Sequence, residues 1–268
     1  MRYSLKIQYI GKNYSGSQKQ PDKRTIQGEL EKAISTLIKT EDKKAKKQED
    51  ELNESSPSCP PAFLPSRIKA VFSGRTDAGV NALGQVVHFD TNKNLVASEF
   101  LYSLNEILPD DISVSDLKEV NSSFHAQKSA KNRHYRYELI NRKCKNAFDG
   151  DLLRVKNDID LERMQTALDY LLGEHDFSSF KSSGTLNPSK VCFIESAKVK
   201  QQGDKVVVDI IGNRFLYNMV RTIIGTLLEI EGQNLKAEHI KEVLEAKDRR
   251  KAGKNVSPHG LTLIKVQY

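Results

Sequence analysis

The chain opens on an alternation. Tyr3, Leu5, Ile7 and Tyr9 are apolar or aromatic and Ser4, Lys6 and Gln8 between them are polar, the period-two pattern of a strand with one buried face. Gly11 closes it. After a loop rich in Gly, Ser and Asn, Thr25 stands where a helix cap belongs, ahead of Ile26, Leu30, Ile34, Leu37 and Ile38 at helical spacing. The pattern then predicts strands over residues 67–73 and 85–90, a helix carrying Phe100, Leu101, Leu104, Ile107 and Leu108, and a strand over residues 112–120. The order is βαββαβ.

The second half follows the same grammar. A strand is expected over residues 133–140, then a helix from Asp160 with Leu161, Met164, Leu168, Leu171 and Leu172 on one side. A hairpin over residues 193–200 and 206–211 turns at Gly203. A helix with Leu216, Val220, Ile223, Ile224, Leu227 and Leu228 follows, then a shorter one with Ile240, Val243 and Leu244, and a closing strand over residues 261–268. Two βαββαβ units in tandem argue for a duplicated α+β, ferredoxin- or RRM-like architecture of antiparallel sheets backed by helices, with a central cleft suited to RNA. The expected domains are residues 1–120 and 121–268. Residues 41–66 interrupt the pattern with charges and then Pro57, Pro60, Pro61 and Pro65, which reads as a disordered insertion with little to bury.

Composition narrows the class. Lys and Arg outnumber Asp and Glu by 42 to 35, giving a formal charge of +7 and a pI near 9.1, which favours a polyanionic partner through counterion release. Cys59, Cys144 and Cys192 lack ligand or disulfide spacing, so neither a zinc site nor a disulfide framework is expected. No apolar run is long enough to span a membrane and no cleavable leader is legible. There is no P-loop, no GxGxxG after a strand, no HExxH and no GxSxG.

The local chemistry concentrates in Phe72-Ser-Gly-Arg-Thr-Asp-Ala-Gly-Val80. A strand ends there in a glycine-bracketed turn that presents Arg75 and Asp77 together, and a guanidinium beside a carboxylate can hold it ionised and oriented. The longer string GRTDAGVNALGQVVHFDT, residues 74–91, resembles the catalytic signature of the TruA family of tRNA pseudouridine synthases. The resemblance extends through RYSLKIQYIGKNYSG, SSFHAQKSAKNRHYRYELIN, GEHDFSSF, GNRFLYNMVRTIIGTLLEI and the closing GLTLIKV.

What the resemblance implies is specific. Asp77 takes the place of the carboxylate that starts breakage of the uridine glycosidic bond, and Arg75 that of the arginine paired with it. Tyr135 matches an active-site tyrosine that packs on the base, Arg221 a second active-site arginine, and Leu261 an apolar residue lining the base pocket. No metal, redox or nucleotide cofactor is implied. The partners implied are tRNA, at uridines of the anticodon stem-loop, and a second copy of the chain. The compartment would be the cytoplasm of a bacterium, or a nucleus or mitochondrion in a eukaryote.

The sequence departs from the family pattern in three places: Asn81 stands where His is common, Ser15 to Gln18 lacks an aromatic after the glycine, and Pro188-Ser-Lys-Val replaces an Arg-containing segment, leaving Lys190 as its charge. Modification of other RNA sites, a non-catalytic RNA-binding or chaperone protein and a methyl-donor enzyme are the alternative readings.

Overall fold

The computed structural model describes residues 1–52, 68–184 and 189–268. The first unit contains β1 (Arg2–Tyr9), α1 (Ile26–Leu52), β2 (Val71–Phe72), β3 (Asn81–Asp90), α2 (Ala97–Ile107) and β4 (Ile112–Val120). The second contains β5 (Asn132–Asn141), β6 (Leu153–Val155), α3 (Leu161–Asp169), β7 (Gly173–Asp176), β8 (Val191–Gln202), β9 (Lys205–Gly212), α4 (Met219–Gly232), α5 (His239–Ala246) and β10 (Leu261–Gln267). The α+β class and the order of the elements expected from the periodicity both hold.

The ten strands of the described residues belong to one sheet, ordered β4-β1-β3-β10-β5-β9-β8-β7, with β2 also on β3 and β6 on β5. Within each unit the neighbours repeat: β4-β1-β3-β2 in the first matches β10-β5-β9-β8 in the second. The units fuse because β2 is short. It pairs only with Val87 and His88, so the other end of the same β3 edge, at Asn81 and Ala82, is free to take β10 in parallel register. The cleft expected between two sheets therefore lies along the seam of a shared one.

Several expected boundaries move for physical reasons. The strand expected over residues 67–73 shrinks to Val71–Phe72, because side chains of α1 occupy the backbone of Ala70: Glu31 accepts from its N–H at 3.1 Å and Gln27 donates to its carbonyl at 3.0 Å. The start of the expected insertion is helical, since α1 continues to Leu52 through Glu, Lys, Ala and Gln, good helix formers that extend an existing helix cheaply; its remainder, with Cys59 and the prolines, lies outside the described residues. The helix expected to include Leu216 begins at Met219, because Asn218 sits at φ 61° and breaks it from the preceding turn. Residues 171–172 fall in a turn beyond α3. The short strands β6 and β7 carried no periodic signal.

Caps and core follow the sequence closely. Thr25 Oγ1 accepts from Gly28 N, and Asp160 accepts from the N–H groups of Glu162 and Arg163 at 3.0 Å. One continuous core joins Leu5, Ile7 and Phe89 to Leu30, Ile34 and Leu104 in the first unit, and Tyr137, Leu139 and Val208 to Leu168, Ile223 and Leu227 in the second.

At the seam, a Cβ on Gly84 would meet the carbonyl oxygen of Ile264 at 2.3 Å, where the β10 register slips between Leu263 and Lys265. Gly84→Ala is expected to cost about 2 kcal/mol, the usual scale of overpacking, and to lower Tm by roughly 4–8 °C in a thermal melt.

Candidate active site

The turn between β2 and β3 carries Asp77, and buried polar groups hold it from several sides. Gln85 lies on the inward phase of β3 with Val87 and Phe89; its amide donates to Gly74 O at 2.9 Å and its carbonyl pairs with Ser73 Oγ. Thr76 is fixed twice, by Tyr9 through its hydroxyl at 2.8 Å and by Ser17, whose Oγ accepts from Thr76 N at 2.8 Å and whose N–H donates to Thr76 O at 3.0 Å. The turn closes with Val80 N donating to Asp77 O at 3.2 Å and Gly79 at φ 80°. Any side chain on Gly79 would run into Pro258 and His259.

Two sequence departures find their place here. Ser17, in the segment where an aromatic was expected, is the buried residue that hydrogen-bonds the Asp77 turn. Asn81 accepts from Gly11 N at 2.9 Å and donates to His259 O at 3.1 Å, so one amide ties the end of β1 to the start of β10. Lys190 is exposed, and Pro188 lies outside the described residues.

Asp77 points into a cleft of about 910 Å³ lined by both units. Its side chain is 24% exposed. Burial pushes its pKa above the usual carboxylate range, and the charge of Arg221 pulls it back down. Arg221 Nη1 stands 3.8 Å from Asp77 Oδ2. The same guanidinium is held by Val256 O and Asn218 Oδ1, each at 2.8 Å. The αL backbone of Asn218 brings its side chain to the first turn of α4, where it reaches Arg221.

Arg75 is not the partner of Asp77 that the sequence suggested. It is exposed and makes no ion pair with Asp77; its side chain stays in solvent at the mouth of the cleft, and the guanidinium at Asp77 arrives instead from α4. Tyr135 and Leu261 do line the cleft, nearly buried at 9% and 5% exposure. Tyr135 packs edge-on against Phe215 at 5.1 Å, and burial drives its phenol pKa well above the ordinary value, so it stays protonated at neutral pH. Tyr9, also buried, is pushed up to about 12.

Lys69, Arg75, Lys128 and Arg214 sit around the cleft, and Asp77 is the one carboxylate among its described lining residues. Among the described residues no cluster of three or more His, Cys, Asp or Glu side chains could hold a metal ion. The sequence reading missed Tyr9, Ser17 and Gln85. Gln85 left a signal, a polar residue on the buried phase of a strand, which demands buried partners. Tyr9 and Ser17 left none, since one fits a core strand and the other a loop.

A family model described as tRNA pseudouridine synthase matches residues 6–127 and 167–268. The chain belongs to the tRNA pseudouridine synthase family. It is 40% identical to a tRNA pseudouridine synthase A of Anoxybacillus flavithermus, covering all of this chain and 98% of that protein. It is 40% identical to that of Colwellia psychrerythraea over 100% and 94%, and 37% identical to that of Acetivibrio thermocellus over 98% and 98%. Among solved structures, a Cbf5-Nop10-Gar1 complex aligns over 97% of this chain and 57% of that chain at 10% identity and a TM-score of 0.36, too loose a match to argue from. In this family member the cleft brings together a carboxylate, a guanidinium and a phenol.

Because Arg221 opposes the effect of burial on Asp77, removing its charge raises the Asp77 pKa further. Arg221→Gln is expected to move the acid limb of the kcat/KM profile to higher pH, and to lower kcat at neutral pH by roughly 10²-fold, the common cost of removing one preorganised charged donor. A pH series of initial rates on tRNA checks both.

Proposed function

We propose that this chain carries out its family's reaction, isomerisation of uridine to pseudouridine in tRNA, with Asp77 as the reacting carboxylate. The observation that carries the reading is a largely buried carboxylate, the one carboxylate among the described lining residues of an otherwise basic cleft, facing Arg221 at 3.8 Å. The isomerisation breaks the N1–C1′ bond and forms C5–C1′; N1 takes up a proton and the C5 proton leaves to water. A carboxylate against the sugar is matched to the positive charge that grows at C1′ as the base departs. Arg221 is placed to orient Asp77 and to offset negative charge on the uracil.

Tyr135 offers the base a wall braced by Phe215, and its protonated hydroxyl can donate to the uracil or shuttle the C5 proton. Leu261 completes the apolar side. A target base must leave its stack before it can reach Asp77, at a cost of a few kcal/mol, and Lys69, Arg75, Lys128 and Arg214 are suited to offset it by binding the phosphates on either side. Arg75, exposed next to Asp77, is free to follow the RNA. The family resemblance extends this reading to uridines of the anticodon stem-loop and to a homodimer that holds tRNA across both subunits.

Asp77→Asn is expected to abolish tritium release from C5-labelled uridine in tRNA, by roughly 10³-fold or more as when a reacting group is deleted, while tRNA binding survives; full release by the variant refutes the assignment. Changing Lys69, Lys128 and Arg214 together to Gln is expected to weaken tRNA binding and to flatten the slope of log affinity against log salt by about 0.7–0.9 for each phosphate no longer neutralised. A filter-binding salt titration measures that slope.

A further inference from the structure

Arg133 lies two residues before Tyr135 on β5 and lines the same cleft. Each of its Nη atoms carries two hydrogens, and all four are donated to backbone carbonyls. Nη1 reaches Ala130 O at 3.0 Å and Asn213 O at 2.6 Å; Nη2 reaches Ser73 O at 3.0 Å and Gln127 O at 2.8 Å. Among the described residues no carboxylate pairs with it. Burial pushes its pKa below the ordinary arginine range, yet a guanidinium stays charged at neutral pH.

The four carbonyls come from three segments that meet at the cleft. Ser73 stands four residues before Asp77. Gln127 and Ala130 belong to the connection from β4 to β5, the passage between the two units. Asn213 directly follows β9 and leads through Arg214 and Phe215 to Asn218, which holds Arg221. We propose that Arg133 is a positioning residue for the uridine isomerisation, its planar fork locking the lip that bears Asp77 to the lip that bears Asn218 and Arg221. It thereby sets the separation of the carboxylate and its guanidinium, and the proposal rests on the functional reading given above.

The choice of side chain supports this. A cation wanted only for RNA attraction belongs on the surface, where Lys69 and Lys128 already stand exposed. Withdrawing a guanidinium from water without a counter-ion is costly unless its donors are satisfied, and here carbonyl dipoles from three segments satisfy both Nη atoms. Lysine, with three donors on one tetrahedral nitrogen, cannot span the same four acceptors.

The test compares Arg133→Lys and Arg133→Gln with wild type in the full chain, by backbone hydrogen exchange and by tritium release from C5-labelled uridine in tRNA. Both variants are expected to exchange faster at residues 73–80, 127–130 and 213–218 while β1 and β9 keep their protection. Both are expected to lose about 10²-fold in kcat, the scale of an atomic misplacement near 1 Å, with KM little changed. The acid limb should move to higher pH, though less far than in Arg221→Gln, because a wider gap weakens the charge that opposes the effect of burial on Asp77.

Wild-type kcat in Arg133→Lys would show that charge suffices and overturn the proposal. An unmoved acid limb, faster exchange spread over the whole sheet, or loosened lips with unchanged kcat would overturn it as well. If the wild-type protein itself released no tritium, the functional reading would fall, and the exchange pattern would still decide whether Arg133 locks the lips together.

Discussion

A carboxylate three-quarters withdrawn from water is costly to keep ionised, and the energetics of the cleft turn on how that cost is offset. Burial raises the pKa of Asp77, and the charge that opposes it is Arg221, 3.8 Å away and fixed by two carbonyl-type acceptors. The two residues are 144 positions apart in the chain and belong to different units. Their meeting therefore depends on the seam between those units being rigid, which places unusual demands on backbone packing far from either side chain.

The duplication supplies that seam. Each unit has the same strand neighbours, and truncation of β2 leaves half an edge of β3 for β10 to occupy. Glycine permits the close approach at Gly84, and at Gly11 and Gly260 the chain again passes so near a carbonyl that no Cβ fits. A longer β2 would fill the β3 edge and keep β10, with Leu261, from the Asp77 turn. The short strand is thus what lets two ferredoxin-like halves share one cleft.

Much of this was legible in the chain. The phases of β1, β3, α1 and α4, the caps at Thr25 and Asp160, and the turn bearing Asp77 all have local signatures, because periodicity reports which face of an element is buried. Periodicity does not report lateral neighbours, so the fusion of the sheets was invisible. The Arg75–Asp77 pairing failed for a related reason: closeness in sequence was read as closeness of side chains, whereas the turn sends Arg75 outward and α4 delivers Arg221. Arg133 left no trace because its partners are backbone carbonyls, which every residue possesses.

The departures from the family pattern bear on how tightly such a site constrains its sequence. By the family resemblance Ser17 and Asn81 replace larger or differently shaped side chains, yet Ser17 hydrogen-bonds the Asp77 turn and Asn81, directly after it, bridges Gly11 and His259. What must be kept is the set of backbone groups satisfied around the turn, because an unpaired buried amide would cost about as much as one of these bonds is worth. Several side chains can meet that requirement. The position of a carboxylate relative to a guanidinium is less forgiving, since Coulomb attraction between partly buried charges weakens with each added ångström and with any admitted water. The surroundings of Asp77 can therefore vary in identity while the distance to Arg221 is held by the shared sheet beneath them.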